Sequence, residues 1–155
     1  MLKEFPEIYV DADACPVKDE IIKVANRHSI NVNMVSDGGI RPSPSRLVNL
    51  IIVDQGADAA DDWIVEHIET GDIVITNDIP LAARCLKKKA NPIKPNGTLF
   101  TNNSIGIALA TRDLMQTLRE NGEITSGPRP FSKKDRSDFL NALEVVVQNL
   151  KNKEN

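Results

Sequence analysis

Asp11 and Asp13 follow the apolar run Ile8-Tyr9-Val10, and Pro16 comes three residues later. A strand that ends in Asp-x-Asp and hands over to a helix sets carboxylates at the C-terminal edge of a parallel sheet. That edge is where open α/β folds bind ligands. Strand residues two apart project to the same side, so both acids can reach one point. Carboxylates held together resist joint ionisation. A divalent cation removes the conflict, and Mg²⁺ suits a site of few carboxylates completed by waters. Two later stretches repeat the theme: Asp54 through Asp62, which contains Asp58, Asp61 and Asp62, and Thr76-Asn77-Asp78. Asp58 lies three and four residues before Asp61 and Asp62, so one helix face can gather them. Taken singly, Asp58 reads as a helix cap, and Asp37 and Asp72 read as turn residues. Taken jointly, Asp11, Asp13 and Asp78 would bring repulsion to one rim for no structural gain, which favours metal binding.

These acids need a scaffold that brings distant strand ends together. β-branched runs recur at Ile8–Val10, Val32–Val35, Leu50–Val53 and Ile73–Ile75, with amphipathic stretches between most of them. This alternation predicts βαβ units and a mainly parallel sheet in a three-layer α/β/α sandwich. Helices are expected from Pro16 to His28, from Asp58 through Ile68, from Pro80 to Lys89, and from Asn102–Ser104 to Asn121. A short fifth strand is expected at Thr98–Thr101. Gly38-Gly39, Pro42 and Pro44 mark a loop between the second and third strands, and the third strand is expected to end at Asp54. Gly122–Pro130 reads as another loop. Ser132 with Asp135 reads as a capping box for a last helix carrying Phe139, Leu143, Val146 and Leu150.

The 155 residues imply one domain over 1–150, with a frayed tail at 151–155. The net charge is −3, so no global positive field attracts nucleic acid. Such a partner must meet a local basic patch. Cys15 and Cys85 lack metal or disulfide spacing and fit a reducing compartment. No signal-type apolar region or bilayer-length run occurs, so the expectation is a cytoplasmic protein with no membrane contact. Cys15 lacks the arginine of a phosphatase loop, and Gly38-Gly39 lacks the Lys-Ser/Thr ending of a P-loop.

The block Gly56-Ala57-Asp58-Ala59-Ala60-Asp61-Asp62-Trp63-Ile64 resembles the acidic helix of structure-specific 5′ nucleases. Ile73-Val74-Ile75-Thr76-Asn77-Asp78 resembles the following strand of those enzymes and of PIN-domain nucleases. Asp11 matches their first acid. One departure is Pro80, which stands where the 5′ nucleases usually carry a further acid. A resemblance covering almost the whole chain is to the YaiI/YqxD family of uncharacterised bacterial proteins, commonly grouped with the PIN-like nuclease fold. It is carried by Val10 through Lys18, the Gly56–Ile64 block, Ile75 through Ala82, Phe100-Thr101-Asn102-Asn103 and Arg112-Asp113.

The resemblance implies a PIN-like fold and metal-dependent phosphodiester hydrolysis, with RNA as the expected substrate by family analogy. Asp11, Asp62 and Asp78 are then the catalytic acids. Together with Asp13 and Asp61 they are the expected ligands of one or two Mg²⁺ or Mn²⁺ ions. Thr76 and Asn77 are expected to orient those ligands. Arg41, Arg46, Thr101, Asn102 and Arg129 are the expected phosphate contacts. A solvated face remains the plainer reading of Lys87–Lys89, Lys133 and Lys134. Aromatic residues seldom neighbour basic ones, so base stacking on rings is not indicated.

Two rivals stay open. Asp11 and Asp13 also match the opening motif of haloacid dehalogenase-type phosphatases, with Asp11 as nucleophile and Asp13 as general acid. Alternatively, the domain binds RNA or a nucleotide without turnover.

Overall fold

The computed structural model describes residues 6–56, 58–124 and 129–153. The β-branched runs form strands β1 (Ile8–Asp11), β2 (Val32–Ser36), β3 (Val48–Ile52) and β4 (Ile73–Ile75). A fifth, β5 (Asn91–Ile93), completes one sheet in the order β3-β2-β1-β4-β5, with every neighbouring pair parallel. The helices are α1 (Lys18–His28), α2 (Ala59–His67), α3 (Ile79–Lys87), α4 (Ile105–Glu120) and α5 (Lys133–Lys153).

Alternation along the strands divides the core in two. Ile8 and Val10 of β1, with Ile73 and Ile75 of β4, pack with Ile21 and Val24 of α1 and Phe139 and Leu143 of α5. The intervening Tyr9 and Val74 turn to the opposite face, against Ile64 of α2 and Leu81 and Cys85 of α3. Both faces are therefore covered, as all-parallel sheets require. The three-layer α/β/α sandwich expected from the sequence is the architecture observed. α4 packs chiefly on α3.

Several boundaries differ from the sequence expectations. The fifth strand is Asn91–Ile93, not Thr98–Thr101; Leu99 makes only an isolated antiparallel bridge to Ile93. Pro92 is tolerated because β5 is an edge strand, where a missing N–H costs no central ladder bond. β3 ends at Ile52, before Asp54. α5 continues to Lys153, so residues 151–153 of the expected frayed tail are helical. Residues 154 and 155, and Gly127 in the expected loop before Arg129, lie outside the described residues. The capping box forms as expected: Ser132 N–H donates to Asp135 Oδ2 at 2.9 Å, and Asp135 N–H donates to Ser132 Oγ at 3.1 Å.

Buried Asp72 is the turn residue its position suggested, and it also anchors the start of β1. Its Oδ1 accepts from Glu7 N–H and its Oδ2 from Glu69 N–H, both at 2.9 Å. Asp72→Asn leaves one of these N–H groups facing an amide donor or no acceptor. The expected loss is about 1–2 kcal/mol in urea unfolding. A loss below about 0.3 kcal/mol would show that the N–H groups find other partners.

Candidate functional site

The order β3-β2-β1-β4-β5 reverses direction between β1 and β4, which makes the C-terminal ends of these two strands the switch point. Asp11 is the last residue of β1. Its Oδ2 accepts from the Thr76 hydroxyl at 3.1 Å, and Thr76 Oγ1 accepts from Asp78 N–H at 2.9 Å. One buried hydroxyl thus ties the end of β1 to the turn between β4 and α3. Asp78 is the N-cap of α3, with Oδ1 accepting from Leu81 N–H at 2.9 Å. The ordinary capping role of Asp78 is realised, and it occupies one carboxylate oxygen.

Asp61, in the first turn of α2, brings its carboxyl within hydrogen-bonding reach of Asp78. Burial raises its pKa to about 7, with further upward pressure from the charges of Asp78 and Asp11, the hydrogen bond to Asp78, and the charge of Asp58. The Asp11 pKa is also raised, first by burial. The Thr76 hydrogen bond opposes that rise, and the Asp78 and Asp13 charges add to it. Asp11, Asp61 and Asp78 therefore form an interacting group at the sheet edge.

Two of the expected ligands lie elsewhere. Asp62 is exposed and pairs with Arg84 Nη1 of α3 at 2.9 Å. Successive helix residues point about 100° apart, and here Asp61 faces the sheet edge while Asp62 points to Arg84. The Asp13 oxygens accept from Ser36 Oγ at 2.6 Å and from Asp37 N–H at 3.1 Å, fastening the segment after β1 to the end of β2. Asp58 occupies the N-cap position of α2 without a side-chain capping bond. Among the described residues, no group of three or more His, Cys, Asp or Glu side chains converges as a ready-made metal site.

Beside this edge a cleft of about 500 Å³ is lined by Asn77, Lys94, Asn96, Phe131 and Arg129. Asn77 is placed where its expected role requires. Arg129 lines the cleft, but Asp135 holds its guanidinium through two bonds of 3.1 and 2.7 Å. Those bonds, with the Ser132 N–H, push the Asp135 carboxyl down to about 2. Lys94 follows β5 directly and forms no ion pair among the described residues. Sequence reasoning missed it because Pro92 obscured the strand. An edge-strand reading of Asn91-Pro92-Ile93 would have put Lys94 on the rim.

The remaining phosphate contacts are dispersed. Phe100 N–H donates to Pro92 O, so the chain folds back antiparallel along β5 and carries Thr101 and Asn102 away from the C-terminal edge. The Thr101 hydroxyl is engaged by Ser104. Arg41 lines a different cleft, and Arg46 is exposed in the same loop.

The raised Asp61 pKa gives a directional prediction. Between the ordinary carboxylate value of 3.8 and about 7, the folded protein keeps a proton that the unfolded chain has released. Stability from this group is complete below 3.8 and is lost as pH rises through about 7. In EDTA, Asp61→Asn is expected to flatten the decline of Tm across this window and to exceed wild type above it. Parallel Tm curves for the two proteins would show that the Asp61 carboxyl pKa is not raised in the folded protein.

Fold and site together define an α/β protein with an all-parallel sheet and an acidic switch-point edge. The chain belongs to the family described as uncharacterized BCR, YaiI/YqxD family, whose model matches residues 9–149. A UPF0178 protein of Rhodopseudomonas palustris strain TIE-1 is 55% identical over 150 residues, covering 97% of this chain and 95% of the relative. UPF0178 protein amb2838 of Paramagnetospirillum magneticum is 56% identical over 145 residues, covering 94% and 96%. A UPF0178 protein of Parvibaculum lavamentivorans is 57% identical over 142 residues, covering 92% and 93%. No solved structure matches the chain. Among the described residues, no helix is long and apolar enough to cross a membrane.

Proposed function

We propose that the protein is a metal-dependent phosphodiesterase acting on nucleic acid, with RNA as its substrate. The observation that carries this reading is the contact between the Asp61 and Asp78 carboxyl groups, with Asp11 interacting alongside, at the switch point of a parallel sheet. The donor set fits Mg²⁺ or Mn²⁺. One or two carboxylates completed by waters and substrate phosphate are enough for Mg²⁺, so a closed cage of protein ligands is unnecessary. Asp61 and Asp78 would hold the ion, with Asp11 as the adjoining acid. When bound, the ion supplies positive charge against the phosphate and acidifies water.

The chain's own residues supply the rest. Thr76 fixes Asp11 and the start of α3 in one arrangement. Asn77, Lys94 and Asn96 line the neighbouring cleft and offer donors to a phosphate. The resemblance to PIN-like nucleases points the same way, with Asp61 taking the part expected of Asp62. Pro80 sits at the start of α3 and contributes no acid.

The phosphatase alternative draws less support. Its general acid would be Asp13, whose oxygens are committed to Ser36 and Asp37. The test is a cleavage assay on single-stranded RNA and DNA with Mg²⁺, Mn²⁺ or EDTA. Metal-dependent loss of full-length RNA is the expected result. RNA binding without cleavage under either metal would replace this reading with a non-catalytic binding domain. Hydrolysis of simple phosphomonoesters alone would favour the phosphatase.

A further inference from the structure

On the other side of β1 from β4, residues of α1, β2, β3 and the 37–47 loop enclose a second cleft of about 230 Å³. Its floor is Ile22, Met34, Ile40, Val48 and Leu50, and it contains no aromatic ring. Lys18 and Arg41 flank it, with Asp19 as the acid in its lining. Neither Lys18 nor Arg41 forms an ion pair among the described residues. In contrast, Arg27, Arg84, Arg129, Lys134 and Arg136 are all paired.

An apolar floor under two available cations calls for a ligand with a flat, weakly hydrated body and an attached anion. The volume falls below the roughly 300–1,000 Å³ that encloses a drug-sized molecule, so one ring system fits better than a dinucleotide. Lys18 and Asp19 put one end of the cleft near the carboxylate-bearing edge, while Val48, the first residue of β3, puts the other end toward the N-terminal side of the sheet. α1 begins after the C-terminal end of β1, and the loop carrying Ile40 and Arg41 begins after the C-terminal end of β2. Asp13 ties those two ends together. Adjacent strands are about 4.8 Å apart, so one polynucleotide laid across the edge can span from β4 to β3.

We propose that this cleft is a subsite for a single nucleobase, with the adjoining phosphate on Arg41 and Lys18. The inference rests on the nuclease reading and deepens it: the substrate is single-stranded near the scissile bond, because a paired base could not enter. The base lies on aliphatic side chains, which agrees with the scarcity of aromatic residues among the basic ones.

The test is methyl NMR of the full chain in EDTA, titrated with AMP or UMP and, as a base-free control, ribose 5-phosphate. Either nucleotide is expected to shift the Ile22, Met34 and Ile40 methyl signals, and the control is not. Arg41→Ala is expected to raise the nucleotide Kd about tenfold by removing a charge-assisted contact. Its unchanged methyl spectrum without ligand would establish that it folds. Equal shifts from ribose 5-phosphate, shifts absent from these three methyls, or a change in Kd below twofold would overturn the subsite. Because metal is absent, the two readings separate. Nucleotide binding here without metal-dependent RNA cleavage removes the nuclease and keeps the subsite; cleavage without binding here does the reverse.

Discussion

Asp78→Asn and Asp61→Asn should each lower Mn²⁺-dependent RNA cleavage by about 100-fold or more, the scale seen when a group stabilising transition-state charge is removed. Asp62→Asn should remain within about threefold of wild type. The contrast is informative because Asp61 and Asp62 are neighbours with the same chemistry. Asp61 meets Asp78 and lies within the field of Asp11, whereas Asp62 meets Arg84 at the surface. Asparagine at position 78 keeps an oxygen able to accept from Leu81 N–H, so the α3 cap survives and a loss of activity reports the missing charge. Single-turnover cleavage at saturating Mn²⁺ separates the three variants. Equal activity in Asp61→Asn and wild type, or a large loss in Asp62→Asn alone, would place the chemistry on the other face of α2.

Gly97→Ala is expected to destabilise the protein by about 3 kcal/mol, the sum of a strained backbone and an overpacked contact. For a chain of this length that is about 10 °C in Tm. Gly97 has φ +94°, a conformation that L residues rarely adopt. A Cβ there would lie 2.8 Å from the Asp138 carbonyl carbon and oxygen and 3.0 Å from Phe139 N. These are backbone atoms of α5 and cannot swing aside. The turn also joins Lys94 N–H to Thr98 O and Gly97 N–H to Lys94 O. Displacing it would move Lys94 and Asn96, which line the cleft beside Asn77. Thermal unfolding measures the first effect, and RNA affinity in EDTA measures the second. A Tm within 2 °C of wild type would mean that α5 and the turn separate at little cost.

Short-range signals made much of the scaffold legible. Alternating apolar runs placed β1, β2 and β4 to within a residue or so, because strands buried on both faces need β-branched side chains throughout. Ser132 and Asp135 revealed their helix start because a capping box is local. Asp11 and Asp78 could be placed on one rim because parallel strands end at the same edge.

Which acids meet there was decided by contacts between residues far apart in sequence. Arg84, 22 positions after Asp62, draws that carboxylate outward. Ser36, 23 positions after Asp13, holds that acid against β2. Pro92 hid an edge strand because proline disfavours central strands, yet the edge position depends on the whole sheet order. Chemical type and local spacing thus determined the sheet, several helix starts and the acidic theme of the rim. The choice of Asp61 over Asp62, the placement of Lys94 and the cleft under Arg41 came only with tertiary structure. Side-chain direction and pairing depend on neighbours that folding alone brings into contact.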